Sequence, residues 1–212
     1  MDPKLRQIAI ACKGFLDDEE GIRLYELARD HARLGPVLEI GSYCGKSSVY
    51  LGAGARDGGG FLACIDHHRG SEEQQPGWEH HDPELVDPEV GLMDSLPFLR
   101  RTLHDAGLED TATVIVGRSA EVARWFGVAL GMVFIDGGHS FELVEADFRA
   151  WTPLVAPGGI LAVHDLFDDQ SEGGQAPIEM YRRTLHSGDF EELPRTKTLG
   201  VLRRKGPLQV EG

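Results

Sequence analysis

A chain of 212 residues with 41% apolar content is long enough for one domain with a full hydrophobic core. Its net charge of -14 argues against nucleic acid as a partner, which calls for a basic face, and favours a neutral or cationic ligand or a metal ion. No apolar run reaches membrane-spanning length, and the start "MDPKLRQIAI" lacks a signal peptide's basic and apolar regions, so a cytoplasmic protein with no membrane partner is expected.

Residues 3–12 and 17–33 read as helices; the second opens on acidic residues and has Gly35 just past its end. Alternation then begins. "PVLEIG" (36–41) predicts a strand, 45–55 a helix and "GFLACID" (60–66) a second strand. Residues 69–91 are polar, proline-bearing and aperiodic, too long for a plain connection, and predict a lid or binding loop. A helix over 92–107, despite Pro97, precedes a strand at 111–117, a short helix at 119–126 and a strand at 131–136. Residues 141–155 carry a helical apolar stripe that includes Phe148, Trp151 and Leu154, and "GGILAVHD" (158–165) is a fifth strand. The helix "APIEMYRRTLHSG" and the strands "DFEEL" and "KTLGVLRRK" follow. Cys12, Cys44 and Cys64 are odd in number, have no metal-like spacing and read as free thiols.

Five strand-helix alternations predict an α/β fold with a doubly wound, mostly parallel sheet, and the last two strands an antiparallel hairpin at one edge. Ligands of such sheets bind at the carboxyl ends of the strands. There "VFIDGGH" ends an apolar run in Asp136, two glycines and His139, and "GGILAVHD" ends the next in His164 and Asp165. The two tips look like one site.

After the first strand comes "EIGSYCGKSS". A Walker A loop needs four residues between its first glycine and Gly-Lys-Ser; only Ser42, Tyr43 and Cys44 are present. The dinucleotide fingerprint fails because Tyr43 stands where its second glycine belongs. An acidic-x-Gly-x-x-x-Gly pattern remains, or a glycine turn that merely joins strand to helix. Asp66 ends the second strand, where an acid can accept both ribose hydroxyls; taken singly it could be a surface acid. Ser119 reads equally as a helix N-cap. Glu142, Glu145 and Asp147 read as a solvated helix face.

Together "VLEIGSYCGKSSVYL", "CIDHH" and "VFIDGGHSFELVEADFRAWTPLVAPGGILAVHD" resemble the class I S-adenosylmethionine (SAM) methyltransferases over roughly residues 34–166. More narrowly they resemble a bacterial branch with Asp-Gly-x-His and His-Asp strand tips, near metal-dependent sugar O-methyltransferases such as those acting on mycobacterial methylmannose polysaccharide precursors. The resemblance implies a seven-stranded sheet and SAM held by Glu39, Gly41, Ser42, Gly45, Ser47, Asp66, His67, Ser119 and Asp136. It also implies a divalent metal, Mg²⁺ first, on Asp136, His164 and Asp165. A metal would act as Lewis acid on an acceptor hydroxyl. His164 departs from an all-oxygen ligand set, and imidazole suits Zn, Fe, Ni or Mn-like ions better. Either His164 is a ligand, or Asp136 and Asp165 bind Mg²⁺ and a histidine is the base. His139 is the best-placed base, with His164, His67 and the pair His80–His81 behind it. Trp78 in the long segment reads equally as a cover for a bound sugar or ring and as simple loop packing. The expected partner is a small-molecule acceptor, first a sugar hydroxyl, with a phenol or amine as alternative. A nucleotide enzyme using "GKSS" and a non-enzymatic partner subunit are the other classes, and a homodimer is among the assemblies left open.

Overall fold

The computed structural model describes residues 1–78, 80–138 and 140–206. Its N-terminal helices start where local chemistry dictates. Asp2 accepts from Lys4 N at 2.7 Å ahead of α1 (Pro3–Ala11). Asp17 and Glu20 form a reciprocal capping box on α2 (Asp18–His31), whose first turn carries Asp18, Glu19 and Glu20.

Seven strands form the main sheet: β1 (Val37–Ile40), β2 (Leu62–Asp66), β5 (Ala112–Val116), β6 (Leu130–Ile135), β7 (Val155–Val163), β8 (Phe190–Thr196) and β9 (Leu199–Arg204). They lie in the order β5-β2-β1-β6-β7-β9-β8. The first five are parallel, while β9 runs antiparallel to both β7 and β8. The hairpin therefore forms the expected antiparallel edge, with β9 against β7 and β8 outermost. The chain leaves β1 toward β2 on one side and reaches β6 on the other, so the switch point lies between β1 and β6.

Both faces are covered, which is why every residue of β1 and β6 is buried and β6 reads as an unbroken apolar run. Along β6, Met132 and Phe134 pack with α1, α2, α3 (Lys46–Asp57) and α4 (Leu96–Asp105). Val133 and Ile135 face the layer of α5 (Ser119–Ala123), α6 (Phe141–Trp151) and α7 (Ala176–His186).

Three boundaries differ from expectation. Residues 92–93 pair as strand β4 (Leu92–Met93) with β3 (Val86–Asp87), and α4 begins later, with Pro97 in its first turn, where the missing N–H costs nothing. The 69–91 segment carries two 3₁₀ turns, Glu72–Gln74 and Pro83–Leu85, besides β3. Strand β7 starts at Val155 through a register shift, so Gly158 and Gly159 lie inside it. No helix among the described residues is long and apolar enough to cross a membrane.

Candidate active site

A cavity of about 960 Å³ opens at the carboxyl ends of β1, β2, β5, β6 and β7, within the range of small-molecule and cofactor clefts. Backbone bonds just past the strands set the tips against one another: Gly41 N to Ile65 O at 2.9 Å, Asp136 N to Ile40 O at 2.9 Å and His164 N to Ile135 O at 3.1 Å. Gly41, Ser42, Ser47, Asp66, His67, Ser119, Asp136, His164 and Asp165 all line the cavity; Glu39 and Gly45 do not. His139 lies outside the described residues.

Glu39 is fully buried on the α3 side of β1. Its Oε2 accepts from Ser48 Oγ at 2.5 Å, and burial pushes its carboxyl up. Among the described residues its Oε1 and the Oγ of Ser42 have no hydrogen-bond partner. Gly41 (φ 87°) and Gly45 (φ 97°) occupy the left-handed region. A Cβ on Gly41 would lie 2.0 Å from the Asp136 carbonyl oxygen, so that glycine lets two strand tips touch. Lys46 Nζ donates to the Gly14 carbonyl at 3.2 Å.

Asp66 accepts from the backbone N–H groups of Tyr43 (2.9 Å) and His68 (2.7 Å), two non-glycine residues held at positive φ. His67 is exposed, and its Nδ1 accepts from Arg69 N at 3.1 Å. Ser119 is not the N-cap: Arg118 is, without a side-chain cap. The Ser119 hydroxyl instead donates to Asp147 Oδ1. Asp147 is buried, which corrects its reading as part of a solvated face; Glu142 is exposed as expected and Glu145 half-buried. Desolvation pushes the Asp147 carboxyl up to about 6, partly offset by Ser119.

At the β6 and β7 tips, His164 Nδ1 lies 3.1 Å from Asp136 Oδ1 and 3.2 Å from Asp165 Oδ1. One ligand atom from each of the three falls within 4.8 Å of the others. Asp165 sits at φ 57°, a strained position for a non-glycine residue. The other ring nitrogen, Nε2, lies 3.0 Å from Glu20 Oε2. Burial alone would lower the imidazole's pKa; the carboxylates of Asp136, Asp165 and Glu20 hold it far above the usual histidine range. Two oxygen donors and one nitrogen facing a common point fit a divalent cation of the Mn, Fe or Zn type better than an all-oxygen Mg²⁺ site. Glu20 was not singled out from sequence. Its capping-box spacing was visible, but nothing local tied it to a residue 144 positions away.

Aromatic side chains gather at the mouth. Phe15, Tyr43, Trp78 and His80 line it; the Phe15 ring lies 4.9 Å from the His80 ring, tilted 56° to it, and 6.1 Å from Tyr43. Lys13 Nζ pairs with Asp82 at 2.5 Å and Glu84 at 2.7 Å, tying the 69–91 segment to the loop after α1.

A methyltransferase domain family matches residues 38–166, more than half of the chain. The chain belongs to that methyltransferase family. Solved structures share the methyltransferase's fold over nearly its whole length. TomG from Streptomyces achromogenes, an O-methyltransferase of tomaymycin synthesis solved with SAM, is 20% identical, with 97% of this chain and 91% of that one covered and a TM-score of 0.64. PaMTH1 from Podospora anserina, bound to S-adenosylhomocysteine (SAH), is 15% identical, with 97% and 89% covered and a TM-score of 0.65. An O-methyltransferase from Bacillus cereus, also with SAH, is 16% identical, with 96% and 90% covered and a TM-score of 0.61.

Membership replaces the nucleotide-enzyme reading of "GKSS". In the methyltransferase, Lys46 and Ser48 of that motif serve the protein's own Gly14 carbonyl and Glu39 carboxylate.

Proposed function

We propose that this methyltransferase transfers a methyl group from SAM to a hydroxyl of a small ring-shaped acceptor. One observation carries the reading: a single cavity joins the Gly41 loop and Asp66 to two carboxylates and an imidazole at the neighbouring tips. Ser42, buried against the cavity with no hydroxyl partner among the described residues, and the acid at the β2 tip suit an amino-acid moiety and a ribose. Glu39 braces the loop from below, and Gly45 permits the turn into α3.

Asp136, His164 and Asp165 would hold a divalent cation. When bound, such an ion lowers the pKa of an acceptor hydroxyl. Glu20 fixes the imidazole, and the ordered tips align donor and acceptor. His139, three positions after Asp136, is the proposed general base.

The acceptor is proposed to be a sugar or related alcohol. A second reading, a phenol, draws support from the ring shelf of Phe15 and His80. Residues 69–91 are proposed to act as a lid. The deciding experiment supplies SAM labelled in its methyl group with a sugar panel and a catechol panel, with and without EDTA. Label in a sugar or phenol ether, lost on chelation, is expected. Transfer only to nitrogen or carbon would overturn the oxygen assignment.

A further inference from the structure

The two edges of the main sheet are built differently. The β8 edge carries Glu191, Glu192, Pro194 and Arg195 and a register shift between Leu193 and Thr196, devices that blunt an open edge. The β5 edge (Ala112–Val116) has no charge, no proline and no break in register, and none of its residues is buried. Val116 is 57% exposed. On the inner side, Leu62 N donates to Thr111 O and Gly117 N to Asp66 O, so the odd-numbered residues bond to β2. The backbone groups of Ala112, Val114 and Val116 therefore point outward. Among the described residues only Ala112 N, which donates to Leu108 O at 2.9 Å, has a partner there.

An open row of N–H and C=O groups is a template for one more strand. The ends of the row say which strand. Asp110 stands just before it and Arg118 just after; both are exposed, and among the described residues no hydrogen bond or ion pair engages either side chain. A twofold axis at Val114 relates two antiparallel copies of this strand. It sets Val114 against its own mate, Ala112 against Val116, Thr113 against Ile115 and, at both ends, Asp110 against Arg118. The open backbone groups match in the same register: the two Val114 residues exchange N–H and C=O, and each Val116 N–H meets the free carbonyl of the other copy's Ala112. The strand's charge is thus complementary to itself, and only in the antiparallel sense. Parallel pairing in register would set Asp110 against Asp110.

We propose that the β5 edge is the interface of a homodimer in which the two sheets join, β5 to β5, through antiparallel backbone bonds closed at each end by an Asp110–Arg118 ion pair. Arg118 also lines the cavity, so Asp110 of the partner subunit stands at the rim of each site. The exposed ion pairs set register and partner choice more than affinity. A strand this short buries less than the about 800 Å² per partner of a standard interface, which places the association in the micromolar range.

The test is sedimentation velocity of the full chain from about 5 to 200 µM, with circular dichroism to confirm that each variant folds. The parent should pass from monomer to dimer across that range. Val114→Pro removes an outward N–H without touching the β2 ladder and should leave the monomer. Asp110→Lys and Arg118→Glu each set like charges together and should each weaken the dimer about tenfold. Mixed in equal amounts, these two variants should recover most of it, because the new lysine of one chain faces the new glutamate of the other while the native pair persists at the opposite end. A fault in folding cannot be repaired by mixing. None of these readouts depends on the donor or the acceptor. A parent that stays monomeric at the top of the range would overturn the interface, as would a dimer that Val114→Pro leaves intact. Single variants that associate like the parent, or a mixture that recovers nothing, would overturn the charge-matched pairing.

Discussion

His164 Nε2 and Glu20 Oε2 lie 3.0 Å apart, so the first turn of α2 and the tip of β7 share one buried hydrogen bond. The other oxygen of Glu20 accepts from Thr198 N (2.8 Å), Thr198 Oγ1 (2.9 Å) and Leu199 N (3.1 Å). Glu20→Ala would strand these donors and a charged imidazole, and should cost about 3–5 kcal/mol in urea unfolding, with Glu20→Gln milder. Burial would raise the Glu20 carboxyl, but the bonds from His164 and Thr198 bring it below its ordinary 4.5. Its stabilisation is therefore present above that pH and lost as pH falls through the lowered value. The penalty of Glu20→Ala should shrink on acidification.

Asp165→Ala should act like chelation. Mn²⁺ affinity, read by calorimetry or electron paramagnetic resonance, should drop at least about tenfold, since one of three ligands is gone. SAH affinity should change little, because the proposed donor site lies over β1, β2 and β5. Full activity in EDTA would remove the cation from the mechanism.

His139→Ala should retain the metal and lose about 10²–10⁴-fold in turnover. The parent's rate should rise with pH through the histidine's titration, and that rise should vanish in the variant. Near-normal turnover would move the base to His67.

Hydrogen exchange should slow across residues 69–91 when SAH binds. The salt links of Lys13 to Asp82 and Glu84 are the anchor points, and Lys13→Ala should speed exchange there without ligand. Equal protection with and without SAH would argue against a lid.

Asp147 binds its proton more tightly in the native state, its carboxyl raised to about 6 from 3.8. Native protein then holds more protons than unfolded protein between those values, so its contribution to stability falls as pH rises across that window. Asp147→Asn should gain on the parent from pH 4 to 6, by up to about 3 kcal/mol, and level off above. Denaturant titrations at several pH values measure this.

The sheet and its tips were legible because buried parallel strands print unbroken apolar runs, and a polar residue closing such a run must sit at the rim. Asp136, His164 and Asp165 followed from that rule, and β6 and β7 do pair. Asp147 was misread although the sequence placed it: it falls three after Val144 and one before Phe148, inside the buried stripe that ends at Trp151. Its charge argues for the surface, and its position in the stripe decides against it. Glu20 was hidden for another reason, since its partners come from β7 and the β8–β9 turn, and such pairings leave no local period. The placing of β9 rather than β8 beside β7 was unreadable on the same ground.

The bond from Thr198 to Glu20 spans 178 residues. On the ribosome, at about 5–20 residues per second, Glu20 emerges about 10–35 s before the group that satisfies it. Late in that interval, once β7 is made, the nascent chain holds the strands of the cavity but not the full set of bonds on Glu20. The imidazole comes to rest only when the β8–β9 turn folds home, so ligand-competent protein should accumulate after synthesis of that turn, with a lag that an arrested chain ending before Thr198 never overcomes.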